Sequence, residues 1–411
     1  MDIKKKFRLL RILSFIGPGF VTASVVIGPG SISTNSKIGA LYGYDLIWVL
    51  AASIISMVIF TVMAARFGVV SEVPILQVVA NKYGRWLAIW VGISGYFMSA
   101  GFNFGNNLGL ATAMQSITGI SENIWPPLFC ITAAIIIFTS SDLYKILERI
   151  MMVLVAVMIG AFAANLFFTK PDGIGVLSGF IPRLPEGSLT TVAGLSGTTF
   201  CINASIYQAY LVQDKGWKVE NYKKCINDSI AGVVVLGFIS LMIMVTAASS
   251  LHLRGIMVST AGDMAFQLEA LFGMSAKFIF CIGLLAASFS SLVISSFLGG
   301  GLLSDSLGWG GSTRNIRTKF LALIIMLIGM IIAVFFRGNV VNAIIFAQAS
   351  TLLGFPAIAL VLMLVLNSKK IMEKYRNRWW ENIIAVFGIC LLFWMMINTY
   401  FSIVSKIRML L

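Results

Sequence analysis

Long apolar runs alternate with short polar segments along the whole chain. Windows of about 20 apolar residues, the length that crosses a bilayer as a helix, recur about eleven times. They lie near residues 12–41, 45–65, 86–116, 124–140, 147–168, 188–213, 228–250, 275–304, 319–336, 340–367 and 380–405. The pattern predicts an all-α, multi-pass membrane protein with one transmembrane domain that occupies residues 1–411.

The composition supports a membrane protein and gives no sign of an enzyme. The chain is 58% hydrophobic and only 11% charged, whereas soluble domains carry about a quarter charged residues. No Ser-His-Asp arrangement, phosphate loop or metal-ligand spacing is present. We therefore expect no enzymatic activity and no cofactor.

The net charge of +14 reports membrane topology. If the N-terminus is cytoplasmic, 22 of the 30 Lys and Arg residues fall on the cytoplasmic side of the predicted spans, as the positive-inside rule requires. This distribution predicts a plasma-membrane protein with a cytoplasmic N-terminus and an extracellular C-terminus. Its environment is the lipid bilayer, and nucleic acid is not a partner.

The first apolar run is interrupted by Gly28-Pro29-Gly30-Ser31. Pro29 removes a backbone donor, and the two glycines relax the helix further. A break in the membrane is tolerated only where protein or a cavity surrounds it, and secondary transporters use such breaks to bind solutes. The alternative is a simple proline kink with no ligand.

A second polar, glycine-bearing stretch, residues 194–205, interrupts the sixth run. Two breaks five spans apart are typical of inverted repeats. We therefore predict one repeat over about 12–168, a second over about 188–367, and an extra helix over about 380–405. The Gly- and Pro-rich loop 170–189 is expected to lack regular structure.

Several motifs, in order along the chain, resemble the NRAMP family of proton-coupled divalent metal transporters. They are Gly17-Pro18-Gly19-Phe20, the stretch from Tyr144 to Glu148, Gly283-Leu284-Leu285-Ala286-Ala287 with Ser290-Ser291, and Gln348 with Gly354-Phe355-Pro356. The resemblance implies a LeuT-like fold of 5+5 inverted repeats with an eleventh helix. It also implies alternating access, in which one bundle of spans rocks against the rest around a central site.

The chain departs from the family pattern at the residues that carry its chemistry. The family's Asp-Pro-Gly-Asn is Gly28-Pro29-Gly30-Ser31 here, and its Met-Pro-His is Cys201-Ile202-Asn203. The resemblance also assigns former proton-path positions, of which only the last keeps a basic residue: Asn103, Asn106, Gln208 and Lys319.

The predicted central site is therefore neutral. We expect the substrate to contact Gly28, Pro29, Gly30, Ser31, Thr198, Cys201, Asn203 and Gln348, with no resident metal. Removing water from a dication without a carboxylate is costly. The main hypothesis is accordingly a secondary transporter of a small polar, zwitterionic or monovalent solute that lacks the usual proton coupling.

Two alternatives stay open from the sequence. The first is a divalent metal transporter that moves a hydrated Mg²⁺- or Mn²⁺-like ion, since a hydrated ion needs fewer direct protein ligands. The second is a transport-inactive, receptor-like homologue that keeps only the fold.

Overall fold

The computed structural model describes residues 17–19, 22, 26–139 and 141–410, without the side chains of 141–152 and 399–410. The start of the first predicted span, residues 12–16, lies outside these residues. The described chain is helical and has no strand. Its longer helices are α1 (Pro29–Tyr42), α2 (Ile47–Val70), α3 (Ile75–Tyr83), α4 (Arg85–Thr118), α5 (Trp125–Thr139), α6 (Ser141–Thr169), α7 (Leu189–Thr199), α8 (Ile202–Asp214), α9 (Tyr222–Ser250), α10 (Ala276–Ser306), α11 (Ile316–Phe335), α12 (Val340–Ser350), α13 (Phe355–Asn367) and α14 (Trp379–Leu410).

The helices confirm a polytopic membrane protein. Within the described residues, eight helical segments are long and apolar enough to cross a bilayer. The other three predicted spans also contain helix. The first and sixth spans are interrupted, and the fifth is the continuous helix α6, whose side chains are described from residue 153 onward.

The helix ends form two sides, which we name after one residue on each. On the Arg85 side, Arg85 reaches the carbonyl of Ser306 (3.4 Å) and Tyr83 reaches that of Leu364 (3.2 Å). On the Tyr44 side, the Tyr44 hydroxyl contacts Ser249 (2.9 Å). Each side therefore brings together segments that are far apart in sequence.

The loop over residues 170–189 is more regular than predicted. Residues Gly173–Ser178 form a short helix, and the carboxylate of Asp172 accepts the backbone N–H groups of Ile174 and Gly175, both at 3.0 Å. The expectation of no regular structure overlooked this aspartate cap, which satisfies the free donors of a helix start.

Glycines allow the central helices to pack closely. A Cβ atom on Gly109 of α4 would lie 2.3 Å from the Cβ of Pro29, and one on Gly197 of α7 would lie 2.2 Å from the carbonyl oxygen of Gln348. Membrane helices use such small residues to bring backbones together. The result places α1, α4, α7 and α12 around one central point.

A buried ion pair fixes the last helix to this bundle. The Arg66 guanidinium on α2 binds both carboxylate oxygens of Glu381 on α14, one at 3.0 Å, and both side chains are only 6% exposed. The backbone N–H of Arg378 also donates to Glu381 (2.6 Å). This bidentate geometry offsets the cost of burying both charges.

Candidate functional site

The first helix break is centred on Gly28. Its backbone is extended (φ −122°, ψ −172°), and α1 begins at the next residue, Pro29. Proline suits the first helical position because the N–H it lacks would be unbonded there. The Val26 carbonyl accepts both the Gly28 backbone N–H and the Ser31 hydroxyl, each at 2.8 Å, so the break is closed by local hydrogen bonds.

The second break separates α7 from α8 at Phe200 and Cys201, whose ψ angles are 67° and 85°. The Phe200 ring packs against Phe60 and Phe355, each with centroids 5.3 Å apart from it. This aromatic cluster anchors the non-helical residues, so the interruption is a fixed feature of the packing. The ends of α7 and α8 then leave backbone polar groups facing the centre.

A hydroxyl contact joins the two breaks. The Ser31 and Thr198 side-chain oxygens lie 3.0 Å apart, and both residues are buried. Gln348 of α12 forms the third side of this contact region. A Cβ atom on Gly30 would lie 2.4 Å from the Cδ atom of Gln348. Thus four of the predicted residues from separate parts of the sequence meet here: Gly30, Ser31, Thr198 and Gln348.

The amide of Gln348 is the least satisfied group in this cluster. It is fully buried, and neither its Oε1 nor its Nε2 has a hydrogen-bond partner among the described residues. An unpartnered buried polar group costs about 1–3 kcal/mol. Native proteins rarely keep two such atoms on one side chain unless a ligand or water binds them.

Asn106 of α4 reaches the same region. Its Oδ1 is buried, lies 3.5 Å from the position of a Cβ on Gly28, and has no partner among the described residues. Its Nδ2 donates to Ser295 (3.3 Å). The side chain therefore presents an oxygen toward the first break while α10 holds its nitrogen.

Asn103 is held further along the same α4–α10 interface. Its Nδ2 donates to the Ser295 hydroxyl (3.0 Å), and its Oδ1 accepts from Ser296 (3.1 Å). At this predicted proton-path position, the Asn103 amide therefore contacts serine hydroxyls. None of these groups titrates near neutral pH.

Asn203 lies at the second break but turns toward α4. Its Nδ2 donates to the Gly95 carbonyl (3.0 Å) and the Ser99 hydroxyl (2.9 Å), while its Oδ1 is buried without a partner among the described residues. Cys201 beside it is buried in the main apolar core. The Asn203 amide is therefore held by α4, and Cys201 packs in the apolar core.

The two remaining predicted positions lie away from the breaks. The Gln208 amide bonds the hydroxyls of Thr22 and Ser229. The Lys319 ammonium donates to the carbonyl of Ile137 (2.8 Å) at the end of α5. Neither side chain contacts the cluster around Gln348.

Polar contacts link separate helices on either side of the cluster. On the Tyr44 side, buried Gln267 donates to Ser36 (2.9 Å) and accepts on its backbone from Asn165 (2.6 Å). On the Arg85 side, the Tyr210 hydroxyl donates to Asp305 (2.6 Å). The polar side chains between them are buried.

The donor set at the centre is neutral and rich in oxygen. Hydroxyls, amide oxygens and the carbonyls at the end of α7 surround it. Among the described residues, no group of three His, Cys, Asp or Glu side chains is arranged to hold a metal ion. The C-terminal end of α7 adds the negative pole of its helix dipole.

Sequence reasoning missed two buried acids. Asp305 and Glu381 are not among the residues predicted from the sequence, yet they are 1% and 5% exposed. Glu381 pairs with Arg66, whereas Asp305 faces Tyr210. The short motif Gly299-Gly300-Gly301 just before Asp305 was a signal for close packing at that helix end.

Comparison with known proteins identifies close likenesses over most of the chain. The sequence model of the family described as natural resistance-associated macrophage protein-like, Nramp, matches residues 19–403. A divalent metal cation transporter, MntH, of Deinococcus radiodurans is 28% identical over 379 residues, which cover 88% of this chain and 83% of that protein. The corresponding protein of Erwinia tasmaniensis is 26% identical over 72% of this chain and 74% of its own length.

Solved structures give the same fold. A manganese transporter of Eremococcus coleocola, crystallised with an aromatic bis-isothiourea compound, matches with a TM-score of 0.78 at 16% identity over 96% of this chain and 87% of that chain. Mhp1, a nucleobase-cation-symport-1 family transporter, matches with a TM-score of 0.56 at 13% identity over 95% of this chain and 93% of that chain. The LeuT-like fold predicted from the sequence is confirmed.

These relatives also correct the main functional hypothesis. The expectation of a small polar, zwitterionic or monovalent solute in place of a metal is wrong, because the relatives that cover most of the chain are named for divalent metal cations. The alternative of a divalent metal transporter agrees better with these relatives. With its family model spanning residues 19–403, this chain belongs to the Nramp family.

Proposed function

We propose that this protein transports a divalent metal cation across the plasma membrane and binds it between the two helix breaks. The observation that carries the proposal is the buried cluster of neutral oxygen groups around Gln348, whose amide has no partner among the described residues. The likeness to divalent metal cation transporters supports the choice of a metal.

The donor set favours a hard cation that keeps part of its water shell. Mg²⁺ and Mn²⁺ prefer oxygen ligands, and Mg²⁺ usually retains several waters when bound. We assign the direct or water-mediated contacts to Ser31, Asn106, Thr198 and Gln348, with Gly28 and Gly30 giving access to the backbone. The negative pole of α7 supplies electrostatic stabilisation in place of a carboxylate.

The proposed orientation places the Arg85 side in the cytoplasm. The N-terminus is then cytoplasmic and the C-terminus extracellular, in agreement with the excess of basic residues on that side. One bundle of spans, drawn from the repeats at about 12–168 and 188–367, would rock against the remaining spans and expose the central site to each side in turn.

Uptake into proteoliposomes tests this function. We expect wild-type protein to carry Mn²⁺ above the rate of empty liposomes, with Mg²⁺ as a competitor. Ser31→Ala should slow uptake because it removes the hydroxyl shared by the two breaks. Ser56→Ala is the matched control, since the buried Ser56 hydroxyl on α2 already donates to the carbonyl of Ala52 (2.9 Å) and faces Gly388 of α14.

The outcome that contradicts the function is specific. If the folded wild-type protein neither binds Mn²⁺ or Mg²⁺ in calorimetry nor moves either ion under any gradient, the divalent-cation assignment is wrong. Equal uptake by Ser31→Ala and wild type would instead remove the first helix break from the site.

A further inference from the structure

Asp305 is a buried carboxylate that the central site does not use. It lies in the last turn of α10 and is 1% exposed. Its Oδ2 accepts a hydrogen bond from the Tyr210 hydroxyl (2.6 Å), whereas its Oδ1 is buried and has no partner among the described residues. One oxygen of this acid is therefore open to a ligand.

Little positive charge faces this carboxylate. The buried charged side chains among the described residues are Arg66, Asp305 and Glu381, and the first and last of these pair with each other. The Gln77 side chain and the Leu76 backbone on α3 are polar neighbours that favour the charged form of Asp305, and Arg85 is the cation that faces it from α4. Within the described residues, no ion pair to Asp305 forms.

The local backbone also disfavours a negative charge. The C-terminal end of a helix carries the negative pole of its dipole, and Asp305 adds its carboxylate to that end. Burial makes an uncompensated charge still more costly. Both effects are relieved when a cation binds at Oδ1.

The position lies between the central cluster and the Arg85 side. Helix α8 begins directly after the second break and reaches Tyr210 about 13 Å along its axis. The Tyr210 ring stacks on Tyr207 (centroids 5.8 Å apart), and a Cβ on Gly311 would be 3.1 Å from the Tyr210 ring. The two tyrosines thus form a cover that separates Asp305 from the break.

We propose that Asp305 is a second cation-binding position, which receives the divalent cation after it leaves the central site toward the Arg85 side. Tyr210 occupies one carboxylate oxygen while the site is occluded and releases it when α8 moves. This inference rests on the proposed function and adds a transit site to it.

The direct test uses Tyr210→Phe, which removes the covering hydroxyl and leaves the carboxylate in place. We expect calorimetry with Mn²⁺ to detect one additional binding equivalent in Tyr210→Phe relative to wild type. The double variant Tyr210→Phe/Asp305→Asn should lose that equivalent. If Tyr210→Phe gains no Mn²⁺, or if the gain survives Asp305→Asn, the second position does not exist.

Transport separates this role from a purely structural one. Asp305→Asn keeps the shape and an acceptor for Tyr210 but removes the charge, so Mn²⁺ uptake should fall about tenfold, equal to about 1.4 kcal/mol, while central binding changes less than about twofold. Tyr210→Phe should keep most of its uptake. A structural hydrogen bond predicts the reverse order, with Tyr210→Phe the more damaged variant, and that order would overturn the proposal.

A matched control removes a carboxylate elsewhere on the same side. Glu72 is exposed and lies 2.8 Å from Lys218, whose hydrogen bond lowers the pKa of Glu72. Glu72→Gln should therefore leave Mn²⁺ uptake unchanged. An equal loss in Glu72→Gln and Asp305→Asn would mean that surface charge alone sets the rate. Failure of the wild-type protein to bind Mn²⁺ would reject the proposed function. The comparison of Tyr210→Phe with the double variant would still test whether Asp305 binds a cation.

Discussion

Replacing Gln348 with leucine should stabilise the protein and abolish cation binding. The Gln348 amide is fully buried, and both of its polar atoms lack partners among the described residues. Leucine fills a similar volume without polar atoms. A change that improves stability while it removes function is typical of a binding site, where residues are kept for the ligand.

The expected size follows from the unsatisfied atoms. Each costs about 1–3 kcal/mol when buried without a partner. Water that occupies the empty site recovers part of this, so we expect a net gain of about 2 kcal/mol in the free energy of unfolding. Gly30, which packs on this side chain, leaves room for the leucine branch.

Thermal melting of the purified protein in detergent, with and without Mn²⁺, measures both effects. Gln348→Leu should melt at a higher temperature than wild type, and added Mn²⁺ should raise only the wild-type value. Gln267→Leu is the matched control, because this buried glutamine already bonds Ser36 (2.9 Å) and its loss should destabilise. If Gln348→Leu melts lower than wild type, or still responds to Mn²⁺, the argument from unsatisfied groups is wrong.

Three further changes probe the site and its support. Gly28→Asp should tighten Mn²⁺ binding about tenfold or more, because unit charges about 4 Å apart interact by about 4 kcal/mol at an effective dielectric of 20. Calorimetry that finds equal Mn²⁺ affinity in the folded variant would contradict this. Gly30→Ala should weaken Mn²⁺ binding with little loss of stability, since the new Cβ would lie 2.4 Å from the flexible Gln348 side chain. An unchanged calorimetric affinity would mean that Gln348 makes no contact with the ion. Glu381→Gln should lower the free energy of unfolding by about 3–5 kcal/mol, because Arg66 stays buried without its charged partner. A melting temperature equal to that of wild type would show that this pair does not hold α14.

Much of the fold was readable from the sequence because each part has a local cause. A span length of apolar residues sets each helix, and Pro29 between two glycines sets the first break. The second break was also predicted, from polar and glycine residues in a span. These features have local sequence signals, although the packing of Phe200 on Phe60 and Phe355 then fixes the second break.

The contacts within the site were less predictable. Ser31 and Thr198 are 167 positions apart yet share a hydroxyl contact. The sequence assigned both to one site but gave no geometry, and it did not indicate that the Asn203 amide turns toward Gly95 and Ser99. Side-chain direction at a helix break depends on tertiary packing, which single-sequence patterns do not encode.

The substrate was predicted wrongly for a physical reason. The absence of an aspartate at Gly28 was read as the absence of a metal, since a bare dication needs negative charge to replace its water. An ion that keeps part of its hydration shell requires fewer protein ligands. The loss of one charged residue from a motif is therefore weak evidence against a metal substrate.

The central claim is that a divalent cation binds among neutral oxygens between the two breaks. Anomalous diffraction from crystals soaked in Mn²⁺ measures this directly. The account predicts an anomalous peak enclosed by Ser31, Thr198 and Gln348, with water completing its coordination. A folded crystal that shows no peak at this position under saturating Mn²⁺ would contradict the claim.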